Sequence, residues 1–280
     1  MAHVDQTPLV RAPTAAAAAV SSSPRQWWAG SEQGLPAGLD WISTRELARL
    51  EGVRFTKRRT EYLLRRWVGK RAVAARLGLP TDDTSLAGIE VLNRMSGAPY
   101  VVIEGVEAPC EVSLSDRAGT AVAVVGGTQR ALGALGIDLE IVEPRSAGFV
   151  TDFLTPAEQA WVTGPAAEQG ALGRDAAANL VWSAKESALK VLRLGLRADT
   201  RWVEIAVAEH RRGDGWAPFT ATWRDGRVLP GWWRREGVYL LTVATEQHFD
   251  PPEALAGAAD LAAATPVHSW VDRPLVTPRE

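Results

Sequence analysis

Two carboxylates stand two residues apart in the stretch GIDLE, Asp138 and Glu140. On a β-strand such a pair leaves the same face, while Ile137, Leu139 and Ile141 point the other way into a core. Both carboxyls can then reach one cation. A third carboxylate, Glu186, lies in WSAKESALK, with Lys190 four residues on. On a helix Trp182, Glu186 and Lys190 share one face. Three hard oxygen donors beside a lysine suit Mg2+ and a phosphate group, because magnesium takes a few carboxylates together with waters and phosphate oxygens. The lysine would stabilise charge on a departing phosphate. Spacing alone leaves a second reading open: a wet acidic strand edge, and an exposed i, i+4 ion pair worth a few tenths of a kcal/mol.

The composition narrows the setting. The chain has 280 residues, 46% hydrophobic and 23% charged, with a formal net charge of −2. That balance gives no ground for a nucleic-acid partner, although it permits a local basic pocket. One cysteine, Cys110, excludes an internal disulfide and a zinc site of several thiolates, and the four histidines form no ligand pair. A reducing, cytoplasmic setting is expected. The run TAAAAAVSSSP is too short, and too poorly flanked by basic residues, for a secretory signal. No apolar stretch is long enough to span a bilayer, so no membrane partner is expected.

The elements that must position these residues follow from periodicity and turn chemistry. Residues 1–36, rich in Ala, Ser, Pro and Gly, read as a flexible leader, and residues 247–280 as a loosely held tail. Ser43 opens a helix. The segment TKRRTEYLLRRWVGKRAVAARLGL is a long helix with an apolar stripe through Tyr62, Leu63, Trp67 and Val73, and Gly78 as its stop. Strands are expected at PYVVIEG, CEVSLS, TAVAVVGG and ALGIDLEIVE. Thr155, Pro156 and Glu158 compose a capping box with proline at the first helical position. A second long helix carries WSAKESALK. RWVEIAVAE, FTATWRDGRVL and VYLLTVATE are further strands, with a hairpin at Asp225-Gly226. The order of elements divides the chain into halves, 37–142 and 143–246, without a visible sequence repeat.

GIDLEIVEP, then FLTPAE, then WSAKESALK resembles the paired signature of the surfactin-type 4′-phosphopantetheinyl transferases, roughly G-[IV]-D-x-E followed by [FW]-[SCT]-x-K-E-[AS]-x-x-K. Gly136, Ile137, Asp138, Glu140, Trp182, Ser183, Lys185, Glu186, Ser187 and Lys190 all match. Upstream, KRRTEYLLRRWVGKRAV resembles the family's basic helix, while GAPYV and CEVSLSDRAGTAVAV resemble its G-x-P and S-[IL]-S-H segments. The resemblance runs from about Asp40 to Thr245.

What the resemblance implies is an α+β, pseudo-duplicated two-half fold with the active site in the cleft between the halves, and a monomer. The implied reaction moves the phosphopantetheine arm of coenzyme A to a serine of an apo acyl or peptidyl carrier protein, of the kind used in secondary metabolism, and releases 3′,5′-ADP. Mg2+ would be held by Asp138, Glu140 and Glu186, with Glu186 as base and Lys190 on the leaving phosphate. Arg59, Arg66, Lys70, Ser115, Asp116, Lys185 and Lys190 would serve CoA. Three positions depart from the pattern: Asp116 replaces a histidine, Arg65 replaces a glycine, and the third is Ala98, between Gly97 and Pro99. Ala98 stands where a basic residue is common. A carboxylate at 116 repels an anion unless a metal or arginine intervenes. Arg117 is the expected compensating group, and Asp116→His is expected to tighten CoA binding. Competing readings are a paralogue that binds CoA or carrier without turnover, and an unrelated Mg2+-dependent phosphohydrolase.

Overall fold

The structure is a computed structural model that describes residues 24–128, 133–168, 172–208 and 212–267. In chain order the elements are β1 (Gln26–Ser31), α1 (Thr44–Glu51), α2 (Thr56–Leu77), α3 (Asp83–Ala87), β2 (Ile89–Asn93), β3 (Pro99–Ile103), β4 (Val106–Glu107), β5 (Glu111–Arg117), β6 (Thr120–Gly126) and β7 (Leu135–Ile141). There follow α4 (Ala147–Phe153), α5 (Pro156–Thr163), α6 (Pro165–Glu168), α7 (Arg174–Val191), β8 (Val203–Val207), β9 (Ala217–Trp223), β10 (Val228–Glu236), β11 (Tyr239–Thr245) and β12 (Glu253–Ala254). One sheet has the order β12-β1-β6-β5 and another β7-β11-β10-β9-β8; β2-β3-β4 forms a third, small one.

Period-two alternation sets the layers. On β1 and β6, Trp28, Ala121, Ala123 and Val125 join Leu63, Val68 and Ala72 of α2 in one apolar cluster. Their neighbours Trp27, Ala29, Val122 and Val124 face the other way, into a cluster with Leu135, Ile137, Leu139 and Ile141 of β7. Leu240 and Ala244 of β11 turn from that cluster towards Leu180, Ala184 and Ala188 of α7. The result is helix, sheet, sheet, helix, with β5 of one sheet beside β7 of the other: the Ser113 hydroxyl accepts a hydrogen bond from the Ile137 amide at 3.1 Å. Alternation is what lets a sheet cover two cores at once.

Each long helix is fixed by the same polar device. Ser43 and Glu46 form a capping box on α1. The free oxygen of Glu46 accepts the Val91 amide at 2.9 Å. Lys70 of α2 meets Glu46 at 2.6 Å and donates to the carbonyls of Trp41 and Leu86. Further along the chain Thr155 and Glu158 cap α5, Glu158 accepts the Ile205 amide at 2.7 Å, and Lys185 of α7 meets Glu158 at 2.8 Å. Lys185 also donates to the Thr200 and Val203 carbonyls. Both lysines are fully buried. Burial lowers the pKa of Lys70 and Lys185, and the facing glutamate offsets part of that shift.

Several expectations hold at the level of single residues. Gly78 ends α2 in the left-handed conformation, Pro156 opens α5, and Asp225-Gly226 falls in the turn that joins β9 to β10. Others need correction. The expected leader contains β1, antiparallel to β6 through Gln26–Ser31, because Trp27 and Trp28 anchor one core each. The expected loose tail begins with buried Phe249, Leu255 and Leu261, and β12 lies parallel to β1. Residues 1–23 and 268–280 lie outside the described residues. Among the described residues no helix is long and apolar enough to cross a membrane.

Truncating one member of a buried ion pair leaves the other charge uncompensated, at a cost of about 3–5 kcal/mol. Lys70→Ala and Lys185→Ala are each expected to lower unfolding stability by about that amount in urea titrations. A loss below about 1 kcal/mol, the range of exposed pairs, would contradict the structural role.

Candidate functional site: a cleft between β5, β7, α2 and α7

The site begins with a glycine. A methyl group on Gly136 would lie 1.9 Å from the Ser187 carbonyl oxygen and 3.1 Å from Val191 Cγ2. Only a residue without a side chain lets the α7 backbone approach β7 this closely. The same face of β7 carries Asp138 and Glu140, so the approach sets them against the helix that bears Trp182, Glu186 and Lys190. The buried hydroxyls between α7 and β11 are satisfied locally: Ser183 and Thr242 share a hydrogen bond of 2.9 Å.

Asp138 is the centre of the arrangement. Its Oδ1 accepts from Lys190 Nζ at 2.8 Å and from Ser115 Oγ at 2.8 Å. Lys190 also donates to the Ile137 carbonyl at 2.8 Å. The other oxygen, Oδ2, is buried without a hydrogen-bond partner among the described residues. Burial first, and the Asp138 charge second, push Glu186 up to about 7, with Lys190 pulling the other way. Glu140 is pushed up to about 7 by burial and then Asp138, against Arg117 and Arg145. Burial therefore weighs against the charged form of both glutamates.

Glu140 is already well held. Its Oε1 accepts from Trp182 Nε1 at 3.1 Å, and its Oε2 accepts from Arg145 at 3.2 Å. Arg117 adds an ion pair at 3.1 Å. Arg145 is oriented in turn by donating to Asn179 Oδ1 at 2.6 Å and lies over the Phe149 ring. Phe149, Phe153 and Trp182 pack with ring centroids 5.0–5.2 Å apart. Among the described residues no three His, Cys, Asp or Glu side chains are gathered to hold a metal ion. The donor set nevertheless suits Mg2+ in kind: all hard oxygens, one of them an orphaned, buried carboxylate lone pair.

Beside this centre opens a cleft of about 500 Å3, lined by Tyr62, Arg65, Arg66, the Ser96–Pro99 turn and Ser115, and by Leu135, Lys190 and Arg193. Arg66 is 4% exposed; it bonds Asn93, lies 4.6 Å from the Tyr62 ring centroid, and keeps a buried Nε without a partner among the described residues. Burial lowers its pKa, so an anion in the cleft would restore what desolvation takes. Arg193 reaches across to Glu111 at 3.1 Å.

Of the residues expected at the site, the fold brings together Arg66, Ser115, Asp116, Asp138, Glu140, Glu186 and Lys190. The structure places four expected residues elsewhere. Arg59 turns away to donate to the Leu50 and Val53 carbonyls around the C-terminal end of α1. Lys70 and Lys185 are spent on the buried glutamates of the two capping boxes and do not line the cleft. Arg117 does not compensate Asp116 but pairs with Glu140 and Glu143; Asp116 pairs with Arg65. Arg145, Arg193 and Asn93 were not anticipated, since each depends on a loop path. Trp182 was placed on the right helical face, but spacing gave no sign of its bond to Glu140.

Residues 134–243 match the family model described as ACPS, the 4′-phosphopantetheinyl transferase superfamily. This segment holds Gly136, Asp138, Glu140, Glu186 and Lys190. A holo-(acyl-carrier-protein) synthase from Bacillus anthracis str. Ames, solved in complex with CoA (3′,5′-ADP), is similar at 22% identity over 38% of this chain and 96% of that chain, with a TM-score of 0.32. No curated protein matches the chain.

If Gly136 sets the distance between α7 and β7, Gly136→Ala must push the helix away. The expected loss of stability is at least the about 1–3 kcal/mol typical of overpacking, read from the urea midpoint. A wild-type midpoint would mean that the two backbones are not held in contact.

Proposed function

We propose that the chain is a surfactin-type 4′-phosphopantetheinyl transferase, built as two duplicated halves, which moves the phosphopantetheine arm of coenzyme A to a serine of an apo acyl or peptidyl carrier protein. The observation that carries this reading is the meeting of Asp138, Glu186 and Lys190 at the end of an arginine-lined cleft, inside the segment that matches the superfamily. The two equivalent Glu-Lys locks support the duplication.

When bound, Mg2+ would supply charge neutralisation at the pyrophosphate, held by Asp138, Glu140 and Glu186. The rest falls to side chains. Arg65, Arg66 and Arg193 line the wall that receives the nucleotide phosphates, and guanidinium forks suit phosphate oxygens. The carrier serine oxygen forms the new bond to phosphorus as the bond to the 3′,5′-ADP phosphate breaks. Glu186, whose carboxyl sits near neutrality, takes the serine proton. Lys190 is anchored on Asp138 and the Ile137 carbonyl, and faces the departing phosphate with a fixed positive charge. Ser115 and Trp182 keep Asp138 and Glu140 in orientation. Phe149 and partly exposed Phe153 border this end, where a carrier protein would approach.

The direct test is intact-mass spectrometry of an apo carrier protein incubated with this protein, CoA and Mg2+, with and without chelator. One phosphopantetheine arm should be gained, and chelator should abolish the gain. No gain on acyl or peptidyl carriers would reject the assignment.

Within the same assay, Asp138→Ala and Glu186→Ala should each lower turnover at least about a hundredfold, as expected for loss of a group that stabilises developing charge or moves the proton. Circular dichroism should remain that of the wild type. Turnover near wild type in either variant would remove that residue from the chemistry.

A further inference from the structure

Two of the departures in the cleft wall, Arg65 and Asp116, are 51 residues apart in sequence and form an ion pair. Arg65 comes from α2 and Asp116 from the end of β5, so the pair ties the helix layer to the sheet at the cleft. Their side chains are 30% and 16% exposed. Arg65 lines the cleft, and Asp116 lines both the cleft and a second cavity of about 210 Å3 bordered by Lys57, Thr60, Glu61 and Arg117. Asp116 therefore stands between two spaces, with Arg65 on the side of the cleft. On its own helix Glu61 is one turn back, where an i, i+4 contact is available, but Glu61 already meets Arg58 at 3.0 Å and Lys57 at 3.8 Å.

Asp116 bonds Arg65 through Nη1. A guanidinium has five N–H groups in a fixed plane, so one carboxylate contact fixes its orientation and leaves donors for a second anion. This arrangement answers the charge problem that an acid poses in an anion site. The carboxylate is neutralised by its partner, and its effect on a bound phosphate is chiefly geometric.

We propose that Asp116 is a positioning residue: it holds the Arg65 guanidinium in the wall of the cleft, away from Glu61 and the second cavity, so that its remaining N–H groups meet a phosphate of the nucleotide-bearing substrate. The two residues act as one unit. The proposal rests on the reading of the cleft as the CoA site. It also reverses the expectation drawn from sequence: with Arg65 in place, Asp116→His sets two cationic or donor groups against each other and weakens CoA binding. Positioning outweighs net charge here, because the pair is open to solvent on the cleft side, where an unpaired charge is screened.

The test is a double-mutant cycle over Arg65→Ala, Asp116→Ala and the double variant, with CoA dissociation constants from calorimetry and KM and kcat from carrier-protein transfer. Each single variant is expected to raise Kd and KM for CoA about tenfold, the scale of one charge-assisted hydrogen bond. Their kcat should stay within about twofold of wild type, since the contact is equal in ground and transition states. The double variant should bind no more weakly than Arg65→Ala alone, because Asp116 acts through Arg65. If Asp116→Ala fails to fold, Asp116→Asn, which retains one acceptor, carries the test and should fall between wild type and Arg65→Ala. Asp116→Ala that binds CoA as tightly as wild type or more tightly overturns the proposal. So do single-variant losses that add in the double variant. Wild-type protein that neither binds CoA nor transfers its arm overturns the reading of the cleft, and this proposal with it.

Discussion

The contact on which the site depends is the near touch of two backbones, the Gly136 segment of β7 and the Ser187 turn of α7. A helix normally stands off a sheet by the thickness of the side chains between them. Here the absence of a single Cβ removes one layer of that spacing. Since Asp138 and Glu140 follow Gly136 on the same face, and Glu186 and Lys190 flank Ser187, the close approach is also what brings acid and base within reach. Val191, one turn beyond Ser187, supplies the apolar contact next to the glycine. Geometry on this scale cannot come from loops. It requires two rigid elements in direct contact, and α7 is held in place from its opposite side by Lys185.

Cations do two separate jobs in this fold. Lys70 and Lys185 are sealed from water and complete capping boxes; their neighbours are carbonyls and a carboxylate, fully used. Arg65, Arg66, Arg193 and Lys190 line the open cleft. The distinction matters because sequence reasoning treats a basic helix face as one thing. On α2, Arg66 and Lys70 are four residues apart and so share a face, yet one opens into the cleft and the other is buried beneath Trp41. A helix that crosses the rim of a cleft presents the same face to solvent at one end and to a core at the other.

That difference explains what could be read from the sequence. Strand alternation placed Asp138 and Glu140 opposite Ile137 and Leu139, and turn chemistry fixed Ser43, Gly78, Thr155 and Pro156, because each of these depends on neighbours within a few residues. The i, i+4, i+8 spacing placed Trp182, Glu186 and Lys190 on one face for the same reason. Composition misjudged the ends: β1 is a six-residue strand with two tryptophans set in a background of small and polar residues, and its stability comes from β6, almost a hundred residues away. Lys185 was misassigned because its partner, Glu158, was already accounted for by a local capping box. The second function of that glutamate, to hold a lysine from another helix, exists only in three dimensions.

Arg65 and Asp116 show the same limit from the opposite side. Taken singly, a bulky cation in place of a glycine and an acid in place of a histidine both read as damage to an anion site. Paired, they cancel in charge and leave a guanidinium with free donors at the cleft wall. A histidine would offer a phosphate one N–H from the strand; the pair offers a planar fork from the helix, oriented by the strand. The two solutions place a donor in the same space by different routes. Neither half of the second solution works alone, since Arg65 without Asp116 has Glu61 as its nearest acid on the helix, and Asp116 without Arg65 leaves a bare carboxylate facing an anion. For this reason the two residues have to be weighed as one substitution, and their compatibility with the cleft is a property of the contact between α2 and β5.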